Sequence, residues 1–435
     1  MINKIKKKFC RVNIDFILLL SISFMPVFLC FNRCFNFTIN TFVIPFYIIT
    51  LVTLVLNIKK ILKLPKKILV LFLLFFVSSI VSVLISKVKV NSLFGTWNLY
   101  GVIGYLSFAS IFFSAIFLKR DEFIKLFKIN ALIGFVLSIV SFINLKFELN
   151  LFLVNNGFNG PFYHFNHFAI YLLISCLCSI FMIFYKNKII WYLTSLVLIY
   201  AIIYNNTFGV YLALLFAIIL IFIKYIKTDK IKVFYILLLF ILLSVVVNNT
   251  TIFINNHSTE RRAISNNFNT LKKDVQIVKN NANNLKSDIK NDTKTSFDEV
   301  GTRRGELWRK SIQYWLINPV FGLGINNLTY YSLRDMKKQI KPHNFILEIL
   351  TADGIVGLVL VMSIFMIILF YSFRRLFKLD YIEFYSFVIC VSYLFSAFFA
   401  NSMLYYSPYL FIFLGFVAKK YINSKINKIN ADIVG

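Results

Sequence analysis

The chain has 435 residues, of which 59% are apolar and only 15% are charged, and its 47 Lys and Arg against 18 Asp and Glu give a formal charge of +29. A typical soluble domain has about 45–50% apolar and about 25% charged residues. This composition excludes a soluble globular enzyme, a disordered protein and a disulfide scaffold, and it indicates a protein with many membrane helices.

Twelve long apolar runs predict membrane-spanning helices, since a helix needs about 20 mostly apolar residues to cross a bilayer. The runs are 12–31, 37–57, 68–86, 97–118, 127–146, 166–185, 189–205, 207–226, 231–254, 354–373, 380–400 and 404–419. The predicted fold is all-α, a polytopic integral membrane protein of about 12 transmembrane helices with one large extracytoplasmic loop. Its parts are residues 1–254 with helices 1–9, residues 255–341 forming the loop, and residues 342–435 with helices 10–12.

The distribution of basic residues predicts the orientation of the spans. With a cytoplasmic N-terminus, every inner segment is rich in Lys and Arg, whereas the short outer loops hold only Arg33, Lys87, Lys89 and Lys146. Basic residues favour the cytoplasmic side of short loops, so both termini are expected in the cytoplasm and the long loop outside. The basic excess is thus an orientation signal, and no nucleic-acid partner is expected.

The predicted spans are almost free of ionisable side chains. Asp15 lies near the inner end of the first span, and Glu148 lies just beyond the fifth. Proton relays and ion-coupled carriers depend on buried ionisable groups. The pattern therefore argues against a charge-relay pump but leaves open a passive or lipid-handling flippase, and any chemistry that needs charge is expected on the outer face.

The segment between the fifth and sixth spans holds the first candidate site residues. Its sequence GFNGPFYHFNHFA, residues 157–169, contains turn-forming glycines and a proline, followed by His164, Asn166 and His167 as the sixth span begins. Histidine is the side chain best suited to proton transfer near neutral pH. These three residues are expected on the outer side.

The long outer loop begins with an amphipathic pattern. Apolar residues recur every three or four positions from Ile264 to Ile289, which predicts a helix of about seven turns whose other face carries Lys and Asn. Three interpretations are open: a solvated helix packed on the bundle, a lid over an active site, and a coiled-coil partner helix. A chain-length regulator is a further partner that such a helix would suit.

A second helix with three arginines is predicted in the same loop. The sequence GTRRGELWRKSIQYWLINP places Trp308 and other apolar residues on one face, and Pro319 ends the run. Arg304 lies one helical turn before Trp308, with Arg303 and Arg309 close by. Three guanidinium groups are therefore expected together on the outer side.

The loop ends in the sequence KPHNFILEILTADGIVG. Pro342 favours a helix start near His343, and Asp353 with Gly354 breaks the run before the tenth span. The short predicted helix places His343 at an N-terminal end on the outer surface, where a helix favours anions.

In their order and spacing, these pieces resemble the O-antigen ligase and O-antigen polymerase family of bacterial membrane glycosyltransferases. The upstream motif G-x-F-x-x-x-N matches Gly160, Phe162 and Asn166. The loop motifs are R-x-x-x-W, P-x-x-G-x-G, H-N-x-x-L and an acidic residue followed by G-x-x-G, which stand at 304–308, 319–324, 343–347 and 353–357. The resemblance implies a GT-C-like membrane fold.

The resemblance also implies a reaction, in which a glycan passes from an undecaprenyl-pyrophosphate carrier to a sugar hydroxyl. It assigns the departing pyrophosphate to Arg304, with Arg303 and Arg309 as further candidates, because guanidinium groups bind phosphates bidentately. His343 is implied as the general base on the acceptor hydroxyl or as the group that orients it, and Glu348 as a residue that orients His343. The other substrate-binding candidates are Asn344, Asn166, His167 and His164.

One position departs from the family pattern. An S-R-G motif is expected at the outer start of the eighth span, where this chain reads NNTFGVYLAL, so that Phe208 replaces the arginine. Either Arg303 or Arg309 compensates, or the geometry differs. The outer loops contain no D-x-D pair and no His/Cys cluster, so a metal-independent reaction without a cofactor is expected.

The expected function is that of a polymerase, which joins undecaprenyl-pyrophosphate-linked repeat units into a surface polysaccharide such as an O-antigen or a capsule. The alternatives are a ligase that transfers the same glycan to a lipid A core or protein acceptor, and a flippase. The polymerase is preferred because the NTFG variant and the R-x-x-x-W helix resemble the polymerase branch. The expected location is the bacterial cytoplasmic (inner) membrane, with the active face extracytoplasmic.

Overall fold

The structure, a computed structural model, describes residues 13–35, 40–96, 100–149, 151, 158–254, 264–281 and 296–434, and these ranges are helical with no β-strand among them. The helices before the long loop are α1 Ile14–Ser23, α2 Met25–Cys34, α3 Asn40–Ile61, α4 Lys66–Ile85, α5 Lys89–Phe94, α6 Val102–Phe117, α7 Arg120–Phe147, α8 Phe165–Lys186, α9 Ile189–Asn205, α10 Phe208–Tyr225 and α11 Lys230–Ile254. The loop contains α12 Ile264–Asn281, a 3-10 turn at Ser296–Glu299, α13 Val300–Trp315 and α14 Asn327–Met336. The last helices are α15 Phe345–Phe373, a 3-10 turn at Leu376–Lys378, α16 Tyr381–Ala397 and α17 Pro408–Val434.

Seven of these helices have the length and composition of membrane spans. In the described part of the chain, α3, α4, α7, α8, α10, α11 and α15 are long and apolar enough to cross a membrane, and α1 and α2 reach the same length and composition when they are taken together. The shorter apolar helices α6, α9 and α16, together with α17, occupy the other four predicted positions. The predicted class, an all-α polytopic membrane protein, is confirmed.

The first predicted span is bent by 47° between α1 and α2. Pro26 lies in the first turn of α2 and has no N–H to donate back into α1, so the helical hydrogen bonds are interrupted there. α2 then ends near the upstream histidine motif, where the guanidinium carbon of Arg33 lies 3.6 Å from the centre of the Tyr163 ring.

α8 is the central helix of the bundle. Of its most apolar stretch of 18 residues, 94% are buried inside the protein. The helices α7, α9, α10 and α16 pack around it. The contact with α7 is close because Gly134 faces Ser175, and a Cβ on Gly134 would lie 2.3 Å from the Cβ of Ser175. Small residues let membrane helices approach in this way. The buried α8 therefore gives a fixed base to the histidines at its outer end.

The elements of the long loop follow the sequence pattern. α12 is described as far as Asn281, and the rest of its predicted run lies outside the described residues. α13 ends at Trp315, before Pro319. The next helix begins at Phe345 because Asn344 caps it, accepting the N–H of Leu347 at 3.0 Å.

α15 is broken at Gly354, where the sequence predicts a break and where φ is 68° and ψ is −167°. This backbone conformation is available almost only to glycine. The break leaves backbone N–H and C=O groups without helical partners, and hydrocarbon offers no water to bind them. A second backbone segment is needed to satisfy these groups.

The segment Pro319–Gly324 supplies the missing partners. Four backbone hydrogen bonds join it to the break: Leu323 N to Thr351 O (2.8 Å), Gly324 N to Ala352 O (3.0 Å), Ile355 N to Pro319 O (2.9 Å) and Val356 N to Val320 O (3.2 Å). The approach is close, since a Cβ on Gly322 would lie 2.4 Å from the carbonyl oxygen of Ala352. The two glycine motifs of the sequence thus form one interlocked unit.

The variant Gly354→Ala is expected to destabilise the folded protein. Its Cβ would lie 2.2 Å from the carbonyl oxygen of Val320, and the strained backbone alone costs about 1–3 kcal/mol. Thermal unfolding in detergent measures the effect, with Val359→Ala on the exposed side of the same helix as the control. Equal melting temperatures for the two variants would contradict the close backbone contact between Pro319–Gly324 and the break at Gly354.

Candidate active site

Three of the four histidines line one cavity at the end of the bundle where α8 and α15 begin. His164, His167 and His343 surround a space of about 330 Å³. The other lining residues are Asn166, Gln339, Lys341, Ala400 and Asn401. We call this space the histidine cavity, and none of the described residues that line it carries a carboxylate. Among the described residues, no three His, Cys, Asp or Glu side chains are placed to hold a metal ion.

A second cavity, of about 460 Å³, adjoins the first and shares Asn166 and Ala400 with it. It is lined by Arg304, by Phe208 at the start of α10 and by part of α12, and we call it the arginine cavity. The structure therefore brings together five residues singled out in the sequence: Arg304, His343, His164, Asn166 and His167.

The upstream histidines are held by the ends of α8, α9 and α10. Asn205 at the end of α9 donates to the carbonyl oxygen of Phe158 at 2.9 Å and so fixes the preceding turn. His164 caps α8, since its Nδ1 accepts the N–H of Asn166 at 3.2 Å. The hydroxyl of Thr207 lies 2.5 Å from the side-chain oxygen of Asn205 and 3.1 Å from that of Asn166. Asn205 and Thr207, which stand just before Phe208, thus belong to the same network as the upstream histidines.

His343 adopts a left-handed backbone conformation with φ of 46°, and Asn401 holds it there. The Oδ1 of Asn401 accepts the N–H of His343 at 2.9 Å, and its Nδ2 lies 3.3 Å from the ring Nδ1. An amide NH₂ only donates, so the ring Nδ1 must accept. The neutral imidazole of His343 therefore carries its proton on Nε2.

The same reasoning fixes the proton of His164. The Nδ1 of His164 accepts a backbone N–H, which only donates. The Nδ1 of His167 lies 2.7 Å from the hydroxyl of Tyr405, a group that both donates and accepts. The neutral rings of His343 and His164 thus carry Nε2–H groups.

Burial and positive neighbours keep these rings neutral. Burial, and then the charges of Arg304, His164 and Lys341, lower the pKa of His343 to about 4. Burial and the charge of Arg304 also lower the pKa of His164. At neutral pH the histidine cavity therefore offers neutral N–H donors rather than a cluster of imidazolium ions.

The guanidinium of Arg304 is largely removed from water, and burial lowers its pKa, although arginine stays charged at physiological pH. The ring of Phe399 lies 6.0 Å from the guanidinium carbon. No hydrogen bond or ion pair joins the Arg304 side chain to another described residue. A buried charge without a counter-ion is costly, and this arrangement suits a bound anion.

The helix that carries Arg304 is tied to the segment that carries His343. Trp308, one turn after Arg304 on α13, donates its Nε1–H to the carbonyl oxygen of Pro342 at 2.9 Å. The R-x-x-x-W spacing thus places a guanidinium in the arginine cavity and a hydrogen-bond donor at the backbone beside His343.

Residues 193–362 match the family model described as O-antigen ligase. This part of the chain, 170 of the 435 residues, is similar to the O-antigen ligase family. The matched range runs from α9 into α15 and includes Arg304 and His343, and it supports the resemblance that the motifs indicate. No curated protein is significantly similar to the chain.

Of the three arginines singled out in the sequence, Arg309 lies outside both cavities. Arg309 is 2% exposed, and its Nε and a terminal nitrogen donate to the carboxylate of Asp298 at 2.8 and 2.9 Å. This bidentate pair joins the 3-10 turn to α13. The side chain of Arg303 lies outside the described residues.

Glu348 and Asn344 do not line either cavity. The carboxylate of Glu348 accepts the hydroxyl of Tyr100 at 3.0 Å and the N–H of Ser402 at 2.8 Å. The role of orienting His343, expected of Glu348, belongs to Asn401 in the structure. Asn344 uses its side chain to cap α15 and to donate to a carbonyl oxygen of the α16–α17 connection.

Sequence reasoning missed Lys341 and Asn401. Lys341 lines the histidine cavity, and its Nζ donates to the side-chain oxygen of Asn326 at 3.1 Å. Burial lowers the pKa of Lys341 to about 8, against the opposing charge of Glu348. The sequence signal that could have identified Lys341 is its position two residues before His343. No signal marked Asn401 in a chain so rich in asparagine.

The variant Arg309→Ala is expected to lower stability by about 3 kcal/mol, because it leaves the partly buried carboxylate of Asp298 without its bidentate partner. Arg304→Ala serves as the control, since it removes a charge that has no described partner and is expected to leave the melting temperature unchanged or higher. Thermal unfolding of both variants in detergent checks the difference. Equal melting temperatures would contradict a structural role for Arg309.

The variant Asn401→Asp is expected to move the proton of His343 from Nε2 to Nδ1 and to raise its pKa from about 4, because a carboxylate accepts where the amide donates. Nitrogen NMR of protein labelled at its four histidines reports both changes, and His343→Gln assigns the signal. Asn344→Asp is the control, since aspartate also caps a helix. A wild-type His343 protonated on Nδ1 would contradict the assignment.

Proposed function

We propose that the protein is a glycosyltransferase of the bacterial cytoplasmic membrane that polymerises undecaprenyl-pyrophosphate-linked repeat units into a surface polysaccharide, an O-antigen or a capsule. The observation that carries the proposal is the pair of adjoining cavities. One contains Arg304, which has no carboxylate partner among the described residues, and the other is lined by three imidazoles and no acid. The O-antigen ligase match supports the reaction class.

The arginine cavity suits the pyrophosphate of a lipid-linked donor. Negative charge grows on this leaving group as the glycosidic bond breaks, and a guanidinium that binds two of its oxygens stabilises that charge. Lys341 provides a second buried cation at the adjoining histidine cavity. We assign to Lys341 the positive charge that an arginine at the position of Phe208 would supply. The two cations do what a divalent ion does in other transferases, while the apolar spans hold the polyprenyl tail.

The histidine cavity suits the reacting sugars. The acceptor hydroxyl oxygen attacks the anomeric carbon, the bond from that carbon to the pyrophosphate oxygen breaks with its electron pair, and the hydroxyl proton passes to a pyrophosphate oxygen. Since the amide of Asn401 occupies Nδ1 of His343, the remaining Nε2–H donates a hydrogen bond and does not take the proton. Of the two roles that the family resemblance implies for His343, this geometry supports orientation.

The charge pattern supports an extracytoplasmic site. His164 begins α8 and Lys186 ends it, while His343 precedes α15 and Arg374 and Arg375 follow it. Basic residues favour the cytoplasmic ends of membrane helices. Both cavities then open to the outer face, and both termini lie in the cytoplasm.

A ligase is the second candidate, and the description of the matching family model favours it. It uses the same donor site and differs in the acceptor, which is a lipid A core or a protein instead of a second lipid-linked repeat. The NTFG sequence at Phe208 and the R-x-x-x-W helix are our reasons for placing the polymerase first.

Purified protein in liposomes is expected to convert undecaprenyl-pyrophosphate-linked repeat units into a ladder of products on a gel. Arg304→Ala is expected to reduce the rate by about 100-fold or more, because one preorganised donor to a developing anion is lost. Arg304→Lys keeps the charge but not the bidentate geometry, so it retains part of the activity. Arg334→Ala is the matched control, since that exposed guanidinium pairs with Asp335 on α14.

Three outcomes of this assay separate the candidates. A ladder from the single lipid-linked substrate supports the polymerase. Transfer that occurs only after a lipid A core or a protein acceptor is added supports the ligase. Absence of any product, with lipid-linked sugar crossing the bilayer, contradicts a glycosyltransferase and leaves the flippase.

A further inference from the structure

α12 carries an apolar stripe that the described part of the protein covers only in part. The side chains of Phe268, Leu271, Val275 and Val278 are exposed by 39, 40, 48 and 43%. At about 100° per residue these positions fall on one side of the helix. A stripe of this kind in water is an unfavourable exposure of apolar surface, so its natural surroundings are apolar.

A polar side of α12 makes the hydrogen-bonded contact with α13. The carboxylate of Asp274 accepts the N–H of Gly301 at 3.1 Å, and Thr270 and Asp274 are half-buried. Asp274 lies about a quarter turn from the middle of the apolar stripe. The attachment to α13 therefore fixes the rotation of α12 about its own axis. The middle of the apolar stripe then lies about a quarter turn away from α13.

The position of α12 relative to the membrane follows from one aromatic contact. The ring of Phe268 meets the ring of Phe208 edge to face, with 5.3 Å between their centres. Phe208 is the first residue of α10, a helix long and apolar enough to cross the membrane. The stripe therefore begins at the level where a membrane span begins, which is the outer boundary of the bilayer.

The lysines of α12 are arranged for the same environment. Lys272 and Lys279 flank the stripe at about a quarter turn on the side away from the Asp274 contact, and Lys273 lies nearly opposite it. All three are exposed. Long cationic side chains beside an apolar face can lay their stems on acyl chains and reach the headgroups with their charges.

We propose that α12 is an interfacial helix of the outer leaflet, with its apolar stripe in the acyl boundary and with Lys272 and Lys279 bound to anionic phospholipid headgroups. Thr270, Leu271 and Asp274 also line the arginine cavity. One wall of that cavity is thus a helix held by the bilayer surface. A lipid-linked molecule reaches Arg304 at the level of its own headgroup, whichever glycan reaction the protein performs.

The test measures the depth of α12 in the full-length protein in nanodiscs. A nitroxide introduced at position 275 is expected to be relaxed more by oxygen, which concentrates in the bilayer, than by a water-soluble nickel complex. The matched control at position 273, on the opposite side, is expected to show the reverse order. In phosphatidylglycerol nanodiscs, the double variant Lys272→Glu and Lys279→Glu is expected to shift the label at 275 toward the aqueous reagent, whereas Lys273→Glu leaves it in place.

Three results would overturn the proposal. Equal access of the nickel complex to positions 275 and 273 means a solvated helix. A label at 275 that is shielded from both reagents means that protein, either a second copy or a partner, covers the stripe. A depth that is the same in phosphatidylcholine and phosphatidylglycerol and is unaffected by the double variant removes the headgroup contact. None of these readouts depends on glycosyl transfer, so failure here is distinct from failure of the proposed function.

Discussion

The outer half of the molecule depends on the hydrogen bonds that close the break in α15. Backbone groups freed at Gly354 face a region without water, and they are satisfied only when Pro319–Gly324 lies against them. The end of α13 and the first turns of α15 are thereby set relative to each other. The segments that carry Arg304 and His343 both leave from this unit. The glycine motifs therefore belong to the framework of the site rather than to its chemistry.

The chemistry that this framework supports follows from where the protons lie. Asn401 donates to the Nδ1 of His343, and the backbone N–H of Asn166 donates to the Nδ1 of His164. A cavity built this way binds oxygen atoms and offers no strong base. With Arg304 beside it, the site is matched to a substrate that brings its own negative charge and its own proton acceptor.

The helices were predictable from hydropathy, which is a local signal. The break in α15 was predictable as well, because the pair Asp353 and Gly354 stands inside an apolar run. The sequence singled out Arg304 but could not separate it from Arg309. Both stand on the same short helix, and the difference is Asp298, whose carboxylate reaches only Arg309. Asn401 was missed because its contact with His343 spans 58 positions. Such pairings are set by packing of distant helices, which no local pattern encodes.

The hydrogen bond from Trp308 to the backbone at Pro342 has a consequence for selectivity. It holds the guanidinium and the imidazole at a set separation, on two segments that are far apart in the chain. In the proposed reaction, a donor is accepted when its charged end and its reacting carbon span that separation. A sugar carried on a single phosphate is shorter by one phosphate than a sugar carried on two. The protein would thus distinguish lipid carriers that differ only in having one or two phosphates between the lipid and the sugar.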